Sequence, residues 1–147
     1  MAIKVFTLGY EKRTIDEFVN LLLVSRVGIL VDVREKAWSH KKSFCKTNFR
    51  NSLEGANIEY VHIREAGNPR SIRMNAQSAE QVLRKYENYL KKTRSGIKEL
   101  SIVLDLAKKA NVNVCFTCFE RDFNCCHRSI LINELALEDT RLSVNHL

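Results

Sequence analysis

The sequence predicts an α/β fold, with a mainly parallel sheet of about five strands and helices on both faces in a Rossmann-like three-layer arrangement. Three observations predict it. Short β-rich apolar runs alternate with amphipathic segments of helical period along the chain. One of those runs, 28–33, is apolar on both faces except for a single acid, the pattern of a strand buried in a parallel sheet. Breakers are scarce, with five glycines and one proline, which disfavours a turn-rich β sandwich.

Taken in order, Ile3 to Leu8 reads as the first strand and ends at Gly9-Tyr10. Thr14 and Glu17 form a capping box, and Ile15, Phe18, Val19, Leu22 and Leu23 follow the spacing of one helical face. Gly28 to Val33 is the second strand, so the first thirty residues make one βαβ unit with a right-handed crossover. A basic loop from Arg34 to Cys45 holds the only tryptophan, Trp38. A short helix follows from about Lys46 to Glu54, stopped by Gly55. Ile58 to Ile63 is the third strand, and Arg64 to Gln77 reads as irregular. Ser78 starts a helix carrying Val82, Leu83, Tyr86, Tyr89 and Leu90 on one face, and another helix covers Ile97 to Ala110. Val112 to Cys118 is the fourth strand, about Cys126 to Leu137 a helix, and Leu142 to Leu147 a last strand.

The 147 residues suit one domain spanning 1–147, with no internal repeat. No run is apolar enough to span a bilayer, and the first residues read as a strand instead of a signal peptide. A cytoplasmic setting follows as the expectation, in which the five cysteines are reduced. The net charge of +7 raises the expectation of a phosphate-bearing partner, either a small molecule or a nucleic acid. Much of that charge falls between Arg34 and Arg50, with Lys36, Lys41, Lys42 and Lys46 against a lone Glu35; Arg64, Arg70 and Arg73 form a second basic group.

In parallel sheets, ligands bind beyond the carboxyl ends of the strands. The chemically versatile residues fall there: Gly9 and Tyr10 after the first strand, Asp32 and Arg34 after the second, His62 and Arg64 after the third, Cys118 and Glu120 after the fourth. Next come Cys126, His127, Arg128 and Ser129, where a helix begins. Unpaired backbone N–H groups and the helix dipole at such a start favour an anion and lower a thiol's pKa. Arg128 could add a bidentate grip, or could pair with Glu120 or Asp32 to fix the loop. Cys118 or Cys126 would then serve as nucleophile or redox thiol, with Asp32, Glu120 and His127 managing protons. Gly9, Tyr10, Arg34, Arg128 and Ser129 would contact the ligand.

A structural zinc ion is the other use for Cys115, Cys118, Cys125, Cys126 and His127. Positions 115 and 118 of one strand face opposite ways, and no second C-x-x-C follows, so the sequence assigns neither metal nor cofactor. Nucleotide-binding and zinc-protease signatures are absent: there is no G-x-x-x-x-G-K-[ST], G-x-G-x-x-G or H-E-x-x-H.

Taken together, Thr7-Leu8-Gly9-Tyr10 with Thr14 and Phe18, Val31-Asp32-Val33-Arg34, Ile58-Glu59-Tyr60-Val61-His62, Cys118-x-Glu120, Cys126-His127-Arg128-Ser129 and Val144-Asn145-His146-Leu147 resemble the domain of unknown function 488 family. The resemblance implies a fold and a motif set without naming a reaction. Three functions stay open: an enzyme acting on a phosphate-bearing substrate, a nucleic-acid-binding module without catalysis, and sulfur or thiol transfer. The last is suggested by the Asp-Val-Arg strand end and the later Cys loop, which are similar to those of rhodanese-like domains.

Overall fold

The computed structural model describes residues 3–122, 127–139 and 141–147. Among the described residues five strands form one parallel sheet: β1 (Ile3–Gly9), β2 (Val27–Asp32), β3 (Glu59–His62), β4 (Asn113–Cys118) and β5 (Leu142–His146). Their spatial order is β3-β2-β4-β1-β5, so β4 lies between β1 and β2. Among the described residues the α-helices are α1 (Ile15–Val24), α2 (Lys46–Gly55), α3 (Arg70–Asn75), α4 (Ala79–Thr93), α5 (Ser95–Ala110) and α6 (Arg128–Glu138).

Period-two alternation sends each strand's side chains into two separate cores. Leu8, Leu30 and Cys115 pack with Phe18 and Leu22 of α1 and with Phe49 and Leu53 of α2. Val5, Val31 and Phe116 pack on the other face with Tyr86 and Leu90 of α4, Leu100 and Leu104 of α5, and Leu131 and Leu135 of α6. That is the three-layer arrangement expected. The sequence signals for the helices act as anticipated: Thr14 closes a reciprocal capping box with Glu17, and Ser78 accepts the Gln81 N–H at 3.1 Å.

One segment differs from its expectation, and the start of another lies outside the described residues. The Arg64–Gln77 stretch, read as irregular, contains a 3-10 turn at Arg64–Ala66 and the short α3, with Pro69 as its N-cap residue. Proline fixes a backbone angle compatible with a helix start, a signal outweighed in the sequence by the lack of any apolar stripe. The last helix is described from Arg128; Cys125 and Cys126 lie outside the described residues.

The chain reverses its direction of travel across the sheet after β3. β1 and β2 lead to helices on one face, whereas their shared neighbour β4 leads to α6 on the other. Adjacent strands whose connections part to opposite faces leave a crevice at their carboxyl ends. Gly9, Asp32 and Cys118 all stand there: Gly9 is in register with Cys118, and Asp32 with the preceding Thr117.

Candidate functional site

The β2 end carries a buried ionic network. Asp32 is fully buried on the α1/α2 face, and Arg34, two residues on, keeps to the same side. Arg34 Nε donates to Asp32 Oδ1 at 2.8 Å and Nη2 to Oδ2 at 2.6 Å, the two-pronged match of guanidinium to carboxylate. Oδ1 also accepts the Arg34 backbone N–H at 3.2 Å, and Oδ2 the Tyr60 hydroxyl at 2.6 Å. Tyr60 reaches it because β3 sets Tyr60 beside Leu30 and His62 beside Asp32, so Tyr60 shares the Asp32 face. Burial opposes the Arg34 charge, yet the Asp32 hydrogen bonds and charge outweigh it and raise the guanidinium's pKa. Burial, and then the Asp32 charge, push the Tyr60 phenol up, so it remains a donor. With four donors on its two oxygens, Asp32 anchors this network. Tyr10, expected as a ligand contact, accepts from Arg34 Nη1 at 3.3 Å and stacks on Phe44.

Gly9 has a steric role. A Cβ there would collide with the Glu120 carbonyl, so the missing side chain lets the β4–α6 connection cross the end of β1. Gly67 plays the same part on the other side of the crevice, where a Cβ would strike the Glu35 backbone.

Cys118, Glu120 and His127 come together on the α4–α6 side, one donor atom of each lying within 4.8 Å of the others. Cys118 is buried at the end of β4 and is held in a disulfide, its partner lying outside the described residues. Its sulfur is 3.4 Å from Glu120 Oε2, a contact that becomes an S–H···O bond only in the reduced thiol. Cys45 and Cys115 are free thiols. The expectation of reduced cysteines therefore fails at Cys118. Cys115 sits in the opposite core, where burial raises its pKa, so the two cysteines of the C-x-x-C do face opposite ways.

His127 Nε2 lies 3.0 Å from the Val33 carbonyl oxygen. A carbonyl only accepts, so Nε2 carries the proton and Nδ1 the lone pair in the neutral ring. The residue is half-buried, with its ring perpendicular to that of Tyr86 at 5.2 Å between centroids. That burial lowers its pKa to about 4, with the Arg128 and Arg73 charges acting in the same direction. His127 is neutral near pH 7.

Arg128 is buried at the start of α6. Its Nη2 donates to the Glu120 carbonyl at 2.7 Å and to the Arg121 carbonyl at 3.4 Å. The guanidinium thus clamps the loop that carries Glu120, and the neighbouring Ser129 is half-buried on the same helix. Cys126, expected beside it as a reactive thiol, lies outside the described residues.

A cavity of about 800 Å³ opens at this edge. Cys118, Glu120 and His127 line one part; Arg34, Lys36 and Arg73 bring positive charge; Tyr10, Trp38 and Phe119 offer aromatic surface. Ala79, Val82 and Leu83 of α4 close the apolar wall. Glu35 tempers the charge, 3.7 Å from Arg73 Nη2. His62, expected among the versatile residues at this edge, instead bonds the Arg34 carbonyl at 2.6 Å.

Tyr60 and the α4 wall were missed as parts of the site. Strand order would have exposed Tyr60, since it shares the Leu30–Asp32 face, but the sequence states strands without stating which are neighbours. Lys41 was counted with the basic group between Arg34 and Arg50, whereas its Nζ donates to the carbonyls of Tyr10 at 3.1 Å and Arg13 at 2.6 Å.

No helix among the described residues is long and apolar enough to cross a membrane. No curated protein and no solved structure matches the chain. A family model described as a domain of unknown function, DUF488, matches residues 14–135, which include Asp32, Arg34, Tyr60, Cys118, Glu120, His127 and Arg128. The match runs from the first helix cap to the last turns of α6, and the chain belongs to the DUF488 family.

Proposed function

We propose that the protein binds a small phosphate-bearing molecule of nucleotide size in the cavity at the carboxyl edge of its sheet. The observation that carries this reading is the lining: cationic Lys36 and Arg73 share one cavity of about 800 Å³ with the half-exposed rings of Trp38 and Phe119. That volume falls within the usual range of roughly 300–1,000 Å³ for small-molecule sites. Cations suit phosphate, and exposed rings suit a stacked base. A nucleotide fits better than a long nucleic acid, because Lys41 is committed to backbone carbonyls and does not extend a basic track along the surface.

Cys118, Glu120 and His127 sit where chemistry on such a ligand would take place. In the disulfide state Cys118 is no nucleophile, so thiol catalysis requires prior reduction.

Calorimetric titration with nucleoside mono-, di- and triphosphates beside the parent nucleosides tests the reading. Phosphorylated ligands should bind, nucleosides should bind at least about tenfold more weakly, and Lys36→Ala with Arg73→Ala should abolish the difference. Equal binding of nucleosides, or none by any nucleotide, overturns it. Salt-sensitive binding of single-stranded oligonucleotides without nucleotide binding would favour the nucleic-acid reading instead.

A further inference from the structure

We infer that Cys118, Glu120 and His127 form a three-ligand site for a divalent transition metal ion once Cys118 is reduced, with the fourth coordination position open to the cavity. Three independent features of the geometry converge on this.

The first is spacing. With a metal–sulfur bond of about 2.3 Å, a metal–oxygen bond of about 2.0 Å and a tetrahedral angle, sulfur and oxygen ligands stand roughly 3.5 Å apart. Cys118 Sγ and Glu120 Oε2 are 3.4 Å apart, and the donor atoms of all three residues lie within 4.8 Å of one another.

The second is the orientation of the histidine. A ligating imidazole usually donates its other N–H to a carboxylate or backbone carbonyl, which fixes ring and tautomer. His127 Nε2 makes that bond to Val33 at 3.0 Å, so Nδ1 is the ring nitrogen with a lone pair for a metal. The backbone beneath is equally fixed, since Arg128 holds the Glu120 carbonyl at 2.7 Å and Gly9 admits that loop against β1.

The third is the composition of the set. One thiolate, one carboxylate and one imidazole suit Zn2+ or its spectroscopic substitute Co2+ better than Mg2+ or Ca2+, which prefer oxygen. Three protein ligands and an open position are the pattern of a reactive zinc site, as opposed to a closed structural one. All three residues line the cavity, so a fourth ligand would come from it.

The disulfide makes the site conditional. A dithiol or phosphine reductant supplies two electrons, the S–S bond breaks, and two protons from solvent yield two thiols. The Cys118 thiol then gives its proton to solvent as the sulfur–metal bond forms. Metal and disulfide compete for the same sulfur, and each excludes the other.

The test needs neither nucleotide nor turnover, so it stands or falls apart from the ligand reading. Full-length protein is reduced with a phosphine, freed of metal, and titrated anaerobically with Co2+, then with Zn2+ against a chromophoric chelator. One Co2+ per chain should bind with a thiolate-to-cobalt charge-transfer band, which Zn2+ bleaches. Cys118→Ser should lose the band. Glu120→Gln and His127→Asn should keep it while binding at least about tenfold more weakly, with circular dichroism confirming their fold. Oxidised protein should bind no Co2+. A band that survives Cys118→Ser, or affinity unchanged in both Glu120→Gln and His127→Asn, overturns the assignment, as does the absence of any band in reduced wild type.

Discussion

Arg34 grips Asp32 through two parallel hydrogen bonds of 2.8 and 2.6 Å, in a place where neither side chain has appreciable contact with water. Removing one member strands the other's charge. Asp32→Asn or Arg34→Met should each destabilise the protein by about 3–5 kcal/mol. Arg34→Lys should recover only part of the loss, because an ammonium cannot engage both carboxylate oxygens in the same plane. Tyr60→Phe should cost about 2 kcal/mol. Urea unfolding midpoints at constant slope measure all of these.

At the other end of the crevice, Gly9→Ala should destabilise by about 1–3 kcal/mol, because the added methyl collides with the Glu120 carbonyl and backbone must yield. The same substitution should weaken Co2+ binding by the reduced protein, since it displaces the loop that carries Glu120. Gly55→Ala is the control: its methyl would meet nothing within 4 Å, and stability should hold or rise.

The pH dependence of stability should carry the signature of His127. Its folded pKa is about 4, below the ordinary 6.5, so the folded state binds fewer protons than the unfolded chain across that interval. The contribution of its neutral ring is complete above pH 6.5 and is lost progressively as pH falls towards 4. Denaturation curves between these limits should show wild type losing about 2 kcal/mol more than His127→Asn. Parallel curves would mean that the imidazole is hydrated in the folded protein.

Lys41 and Lys42 are adjacent in sequence and should differ in effect. Lys41→Ala removes two donors from the Tyr10 and Arg13 carbonyls and should cost about 1–2 kcal/mol. Lys42→Ala should change stability by less than about 0.5 kcal/mol. Thermal melts of the two variants, side by side, decide it.

The sequence disclosed the fold well because its signals are local. Thr14 with Glu17, the apolar run at 28–33 and the stripe on α4 each specify an element from within a few residues. It disclosed the site in part, because strand ends of a parallel sheet collect at one edge wherever the strands lie. Strand order is a long-range property, and the roles that depend on it were hidden. Tyr60 bonds Asp32 only because β3 pairs with β2, and Gly9 meets Glu120 only because β4 lies beside β1. Arg128 was legible as important, but the choice between its two uses was not: an arginine at a helix start looks the same in sequence whether it reaches for a ligand or for the carbonyls of its own loop.

The place of β4 also governs how the molecule is assembled. β1 and β2 are made early, yet they do not pair with each other; both wait for a strand that begins at Asn113. Until then each presents an unpaired edge, and the only neighbouring strands that can zip together during synthesis are β2 and β3. Insertion of the central strand joins the two halves and delivers Cys118 to the crevice in the same act. Such late, distant pairing makes for slow folding with aggregation-prone intermediates. A nascent chain truncated before residue 113 should therefore be held by chaperones, and the crevice cannot exist in any shorter product.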